Sequence, residues 1–243
     1  MIDWAFIAEA FPQVLASVPL TLLLVFVSIP IGWALGILIA LVKNAKVPVL
    51  YQLSVVFVSF MRSVPMVVIL FVAYYSVPLI IQSYTSSIGL SVDVNAVPPA
   101  AYAICAFVLD QAAYSSEVFR SAILAVDKGQ IEAAQSVGMT KPVAYVRIVL
   151  PQAITSALPN LNGLFVGLVQ GTSLAYFVGV YEVMATSTLL ANSSYAYIEA
   201  YLMATVIYEV LSFVFNRVFR GIETRASKYL NMTAPDAAKA AEA

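Results

Sequence analysis

Apolar runs of about 20 residues recur along this chain, which is the length that a helix needs to cross the hydrocarbon core of a bilayer. The chain of 243 residues is 62% hydrophobic and only 10% charged, whereas about 25% of the residues in a soluble domain are charged. The net charge of −1 weighs against nucleic-acid binding. The absence of histidine excludes histidine-based triads and histidine metal sites. We therefore predict an all-α, polytopic membrane protein.

The apolar runs predict five transmembrane helices. They cover about 11–42, 51–82, 100–124, 153–170 and 198–219, with a polar loop at 83–99 and a semi-polar segment that continues from the fourth helix to residue 192. Together they form one transmembrane domain, residues 1–228. The low-complexity residues 229–243 are predicted to be a disordered cytoplasmic tail.

The distribution of basic residues orients these helices. Lys and Arg follow the first helix, surround the segment between the third and fourth helices, and follow the fifth helix: Lys43, Lys46, Arg120, Lys128, Lys141, Arg147, Arg217, Arg220, Arg225 and Lys228. The opposite ends carry Asp3, Glu9 and Asp93 and no basic residue. The positive-inside rule then predicts an N-terminus outside and a cytoplasmic C-terminus, which agrees with an odd number of crossings.

The segment 125–151, which we call the elbow, is polar and lies on the predicted cytoplasmic side. Asp127 and Gln130 have the spacing of a capping box for a first short helix, and Gly138 can end it with a positive φ. Thr140 can cap a second short helix, with Pro142 in its first turn. A connection between helices usually needs 2–8 residues, so the length of the elbow indicates a docking surface.

The elbow contains "EAAQSVGMTKPVAYVRIVLP", which resembles the EAA loop in the permease subunits of bacterial ABC importers. The matching residues are Glu132, Ala133, Ala134, Gly138, Ile148, Val149, Leu150 and Pro151. The flanking "AYSSEVFRSAILAVDKGQIEAA", together with "MRSVPMVVILFVAYYSVPL" and "GTSLAYFVGVYEVM", resembles polar amino-acid permeases of the histidine, glutamine, glutamate and arginine type.

This resemblance implies a type I ABC importer permease fold in a bacterial inner membrane. It also implies four kinds of partner: two ATPase subunits that receive the elbow, a second permease subunit that is identical or homologous, an extracytoplasmic binding protein, and an amino-acid substrate. The sequence has no G-x-x-x-x-G-K-[ST] loop for phosphates, so we expect no ATP hydrolysis and no cofactor on this chain. ATP and Mg would bind to the partner ATPase subunits.

Arg62 is a first candidate for substrate binding, because an ionisable residue at membrane depth is a functional candidate by default. Its guanidinium can bind an α-carboxylate bidentately, and Pro65 favours a kink beside it. Alternatively, Arg62 extends to the cytoplasmic interface or pairs with an acid of the third helix.

Asp110, Tyr114 and Glu117 are spaced to share one face of the third helix, where an acidic side chain can receive an α-ammonium group. Glu117 can instead pair with Arg120, three residues further on. Members of the family usually have asparagine at the position of Asp110, so the charge is a departure from the pattern.

The end of the fourth helix supplies a third candidate set: Gln170, Thr172, Ser173 and Tyr176. Gly171 can break the helix there and free backbone groups for a ligand, which is tolerated at this depth only against protein or a cavity. The family commonly has Lys-Asp where Gln170 and Gly171 stand. The loss of that charge pair favours a polar or neutral amino acid as the substrate.

Two other functions remain open. A permease for methionine or another small solute would have the same fold. A secondary transporter would explain the membrane helices but not the elbow.

Overall fold

The computed structural model describes residues 2–233, and within them it contains helices and no strand. The α-helices are α1 (Trp4–Ala16), α2 (Val18–Ala45), α3 (Leu50–Ser63), α4 (Met66–Ser87), α5 (Pro99–Ala125), α6 (Lys128–Ser136), α7 (Lys141–Ala144), α8 (Leu150–Gly171), α9 (Val183–Ala191) and α10 (Tyr197–Thr233). Short 3₁₀ helices cover Val94–Ala96 and Thr172–Val178, and a π-helical turn covers Tyr145–Val149. The all-α prediction is confirmed for this part of the chain.

Two of the predicted spanning helices are divided in the structure. The first becomes α1 and α2, which meet at Ser17, and the second becomes α3 and α4, which are separated by Val64 and Pro65. Val64 is extended, with φ −93° and ψ 133°, because the proline ring disfavours helical backbone at the preceding residue. The single helix predicted at 51–82 is therefore wrong, and Pro65 causes a break rather than a kink.

The predicted boundaries of the fourth and fifth helices also change. The helical path is continuous from α7 through the π-helical turn into α8, and Pro151 lies in the first turn of α8. Pro151 has no N–H to donate to the preceding turn, but the path continues through it directly after the π-helical turn, so the fourth helix does not begin only after this proline. α10 extends to Thr233 and includes the first residues of the predicted tail. The remainder of that tail, residues 234–243, lies outside the described residues.

Among the described residues, four helical stretches are long and apolar enough to cross a bilayer. They are Trp4–Ala45, Met66–Ser87, Lys141–Val178 and Tyr197–Lys228. α5, the third predicted span, is not one of them, since it carries Asp110, Glu117 and Arg120. It packs against α2, α3, α4 and α8, so protein surrounds much of this helix. That surrounding explains how α5 tolerates charge.

α2 and α5 make the most extensive helix contact in the described structure. A Cβ built on Gly32 would lie 2.6 Å from the Cβ of Gln111, and one built on Gly36 would lie 2.0 Å from the Oγ of Ser115. Glycines four residues apart allow two helix backbones to approach this closely. The α2–α5 contact therefore fixes the position of the polar residues of α5.

Candidate substrate cavity and coupling elbow

The first short helix of the elbow forms where the sequence predicts it, but the Asp127 side chain bonds to Gly129 and not to Gln130, as a capping box would require. The Asp127 side chain accepts a hydrogen bond from the backbone N–H of Gly129 at 2.6 Å and caps α6. Gly138 has φ +86° and ends that helix region, with the N–H of Met139 donating to the carbonyl of Ala134. The Thr140 side chain makes no capping hydrogen bond to α7, although Thr140 is its N-cap residue.

The elbow has an inner and an outer side. Ala134, Ala144 and Val149 are buried, and they belong to α6, α7 and the π-helical turn, which contact one another. Glu132 and Ala133 are exposed, and Val137 is 74% exposed. Ile148, Leu150 and Pro151 are half-buried at the junction with α8. The elbow is therefore a folded unit whose outer side presents an acid, a small residue and an apolar side chain.

A cavity of about 250 Å³ lies where α5 faces α8. Asp110, Gln111 and Tyr114 line it from α5, and Met66 lines it from the start of α4. The α8 side consists of Gly163, Gly167 and Gly171 together with Leu164 and Leu168, and Phe107 and Leu174 complete the lining. A Cβ added to any of the three glycines would meet nothing within 4 Å. The α5 side of the cavity therefore carries a charge, and the opposite side is formed by glycine backbone and two leucines of α8.

Asp110 is half-buried, and one of its oxygens, Oδ2, accepts a hydrogen bond from Gln111 Nε2 at 3.3 Å. Gln111 Oε1 in turn accepts from the indole Nε1–H of Trp33 on α2, also at 3.3 Å. The carboxylate of Asp110 is thus connected to α2 through a buried amide.

Arg62 lies next to this cavity without lining it. Its guanidinium carbon is 5.3 Å from the centre of the Tyr114 ring, which is a cation–π contact, and Tyr114 itself lines the cavity. Arg62 is exposed at the end of α3. Tyr114 therefore contacts a cation of α3 and lines the same cavity as Asp110.

Glu117 has a different environment. Its carboxylate forms ion pairs with Lys43 of α2 and with Arg120, where the Arg120 Nε to Glu117 Oε2 distance is 3.0 Å. This is the local pairing that the sequence left open, extended by Lys43. Glu117 does not line the cavity.

The polar candidates at and after the end of α8, Gln170, Thr172, Ser173 and Tyr176, do not line the cavity. The Thr172 hydroxyl is fully buried and donates to the carbonyl of Val169 at 2.8 Å, and the Ser173 hydroxyl donates to the carbonyl of Gln170 at 2.7 Å. Gln170 Nε2 lies 3.5 Å from Ser212 Oγ on α10, and the Tyr176 ring contacts that of Phe177. Of this segment, Gly171 and Leu174 reach the cavity.

Sequence reasoning missed the roles of Trp33, Gln111, Gly163 and Gly167. The spacing of four residues from Gly163 to Gly167 to Gly171 was visible and places the three on one helix face. Trp33 gave no signal, because its partner is on another helix.

The comparisons with known proteins agree with this architecture. Residues 28–228 match the family model described as "Binding-protein-dependent transport system inner membrane component". The probable amino-acid permease protein YxeN of Bacillus subtilis is 39% identical over 88% of this chain and 92% of its own length. The L-cystine transport system permease protein TcyL of the same organism is 34% identical over 93% of this chain and 92% of its own.

A solved structure described as an amino acid ABC transporter with histidines has the same fold. Its TM-score is 0.78, with 26% sequence identity, over 93% of this chain and 99% of that chain. The resemblance found in the sequence is thereby confirmed. The chain belongs to the family of inner membrane components of binding-protein-dependent transport systems, and it is a transport subunit rather than an enzyme.

Proposed function

We propose that this chain is the permease subunit of an ATP-driven importer for a polar or neutral L-amino acid in a bacterial inner membrane. It would pair with a second permease subunit, dock on two ATPase subunits, and receive substrate from an extracytoplasmic binding protein. α5 would add a crossing to the four apolar stretches and be the third of five, with the N-terminus outside and the C-terminus in the cytoplasm. The transmembrane permease domain, residues 1–228, would form the substrate path, which would open alternately to the two sides of the membrane.

The observation that carries the proposal is the elbow. It combines the family sequence at Glu132, Ala133, Ala134 and Gly138 with a folded, internally packed core and an exposed outer side. A rigid element can transmit the closure of ATPase subunits to membrane helices, since nucleotide shifts the equilibrium only through its differential affinity for the two states. Ile148, Leu150 and Pro151 would pass that movement to α8.

The orientation has support from contacts between distant residues. Lys43 at the end of α2 pairs with Glu117 near the end of α5. The end of α5, the start of α8 and the last part of α10 line a common cleft at the elbow, and Asp127, Gln152 and Glu223 are among its lining residues. The ends of α2, α5 and α10, which carry basic residues, therefore lie on the same side as the elbow, which supports a cytoplasmic face by the positive-inside rule.

The cavity supports a substrate with a neutral side chain. Among the described residues that line it, Asp110 alone is charged, and Arg62 contacts Tyr114, which lines the same cavity. One acid and one base match the α-ammonium and α-carboxylate of a zwitterion, because a buried charge is tolerated when it is paired. A second substrate charge would have no partner against the leucines and glycines of α8.

The test is uptake by proteoliposomes that contain this chain with its ATPase and binding-protein partners. The probes are radiolabelled L-glutamine, L-leucine, L-methionine, L-cystine, L-arginine and L-glutamate. We expect ATP-dependent accumulation of an uncharged amino acid and an apparent KM that rises at least about tenfold in Asp110→Asn, since hydrogen bonds to charged groups are the strong ones. Exposed Glu9→Gln is the matched control.

Each contrary outcome removes a different part of the proposal. Accumulation driven by an ion gradient without the ATPase subunits would replace the importer with a secondary transporter. Fast uptake of L-arginine, L-glutamate or L-cystine, each of which carries charge beyond one α-ammonium and one α-carboxylate, would refute the neutral side chain. An unchanged KM in Asp110→Asn would remove the cavity as the substrate site.

A further inference from the structure

Asp110 is held by a hydrogen-bond chain that begins on another helix. The indole N–H of Trp33 donates to Gln111 Oε1, and Gln111 Nε2 donates to Asp110 Oδ2, each at 3.3 Å. Gln111 is only 3% exposed, so its amide has no alternative partner in bulk water.

The chemistry of Trp33 fixes the direction of this chain. An indole nitrogen donates and cannot accept, whereas the two ends of a glutamine amide differ in the same respect. The amide oxygen of Gln111 must therefore face Trp33, and its NH₂ group must face Asp110. If the indole N–H were removed, the Gln111 amide could rotate by 180° and direct its oxygen at Asp110. The amide oxygen and the carboxylate would then repel each other.

Glycine at position 32 makes the arrangement possible. A Cβ at Gly32 would lie 2.6 Å from the Gln111 Cβ and 3.0 Å from the carbonyl oxygen of Val108. Gln111 therefore packs directly on the α2 backbone at Gly32, which is the residue before Trp33. Its position and its amide direction are both set by α2.

We propose that Trp33 and Gln111 are positioning residues for substrate recognition. They hold Oδ2 of Asp110, and they leave Oδ1, to which no described residue donates a hydrogen bond, to accept the α-ammonium of the substrate. This inference rests on the proposed function, because it requires that the cavity receives an amino acid.

The experiment is a double-mutant cycle in the reconstituted transporter. Uptake kinetics are measured for whichever of L-glutamine, L-leucine and L-methionine the wild type accumulates fastest. Trp33→Phe keeps an aromatic ring and loses the N–H, and we expect it to raise the apparent KM about fivefold to tenfold with little change in maximal rate. In an Asp110→Asn background the same change should raise KM less than about twofold, since coupled residues are not additive.

Two further variants separate positioning from packing. Gln111→Met has a similar length but can neither accept from Trp33 nor donate to Asp110, so KM should rise by at least as much as in Trp33→Phe. Trp4→Phe removes the other tryptophan of the chain, which is 71% exposed, and should leave KM unchanged.

The outcomes distinguish this inference from the proposed function. Equal effects of Trp33→Phe in both backgrounds, or none in the wild type, would overturn the positioning role while a raised KM in Asp110→Asn keeps the cavity as the substrate site. If Asp110→Asn itself leaves KM unchanged for every probe, both the cavity assignment and the positioning role are wrong.

Discussion

Glu182 shows how a carboxylate is accommodated in the interior of this protein. It is fully buried, and it caps α9 by accepting hydrogen bonds from the backbone N–H groups of Met184 at 2.8 Å and Ala185 at 3.2 Å. Its other oxygen accepts from the hydroxyls of Thr21 at 3.3 Å and Tyr208 at 2.5 Å. One side chain therefore connects α9 with the neighbouring α10 and with α2, whose Thr21 is 161 residues away in sequence.

Removing this carboxylate should destabilise the protein. Glu182→Ala leaves two backbone donors and two hydroxyls without their acceptor, and the lost cap and the unsatisfied buried groups together should cost at least about 2 kcal/mol. We expect a clear decrease in the thermal unfolding midpoint of the purified transporter. Glu132→Ala, which removes an exposed carboxylate, is the control, and equal midpoints for the two variants would contradict the role of Glu182.

At the scale of elements, the glycines of α2 and α8 have opposite surroundings. Gly36 faces α5 so closely that a Cβ would also lie 3.1 Å from the backbone nitrogen of Ser116. Gly167 faces the cavity, where a Cβ meets nothing within 4 Å. The first glycine permits helix packing, and the second leaves space.

A matched pair of alanine substitutions tests this difference. Gly36→Ala overpacks the α2–α5 contact, which should cost about 1–3 kcal/mol and lower the unfolding midpoint. Gly167→Ala should keep or raise that midpoint, because alanine is the better helix former by about 1 kcal/mol, while it reduces the cavity volume. The prediction is wrong if Gly167→Ala proves the less stable of the two in circular dichroism melts.

The elements that the sequence could predict are those decided by local chemistry. Asp127, Gly138 and Pro142 marked the two short helices of the elbow, and the ionisable residues of the third helix led to Asp110. At Pro65 the sequence predicts only a kink, whereas the structure has a break. The free-energy cost of a proline inside a helix is local, and it does not determine whether neighbouring helices keep the two halves aligned. The pairing of Glu117 with Lys43 depends on which helices pack together, and no local pattern contains that information.

At the scale of the whole molecule, one continuous helical path joins the elbow to the cavity. It starts at Lys141, passes through the π-helical turn at Tyr145–Val149 and continues to Gly171. The same α8 then supplies Gly163, Gly167 and Gly171 to the cavity wall. A π-helical turn inside a helix often marks a functional position. A displacement of the elbow would therefore move the cavity wall directly, without an intervening loop.

This arrangement predicts that the outer side of the elbow can be disabled without disturbing the fold. Val137 is 74% exposed beside Gly138, so Val137→Asp changes no internal contact of the elbow, but it would place an unpaired charge in an apolar interface with the ATPase subunit. We expect the variant to retain the wild-type unfolding midpoint and substrate affinity and to lose most ATP-dependent uptake. Gln130→Asp, also exposed but on the first turn of α6, is the control. Wild-type uptake by Val137→Asp would contradict a role for this side of the elbow in coupling. If uptake is lost, co-purification of the ATPase subunits with the variant would show that transmission was lost, and their absence would show that docking was lost.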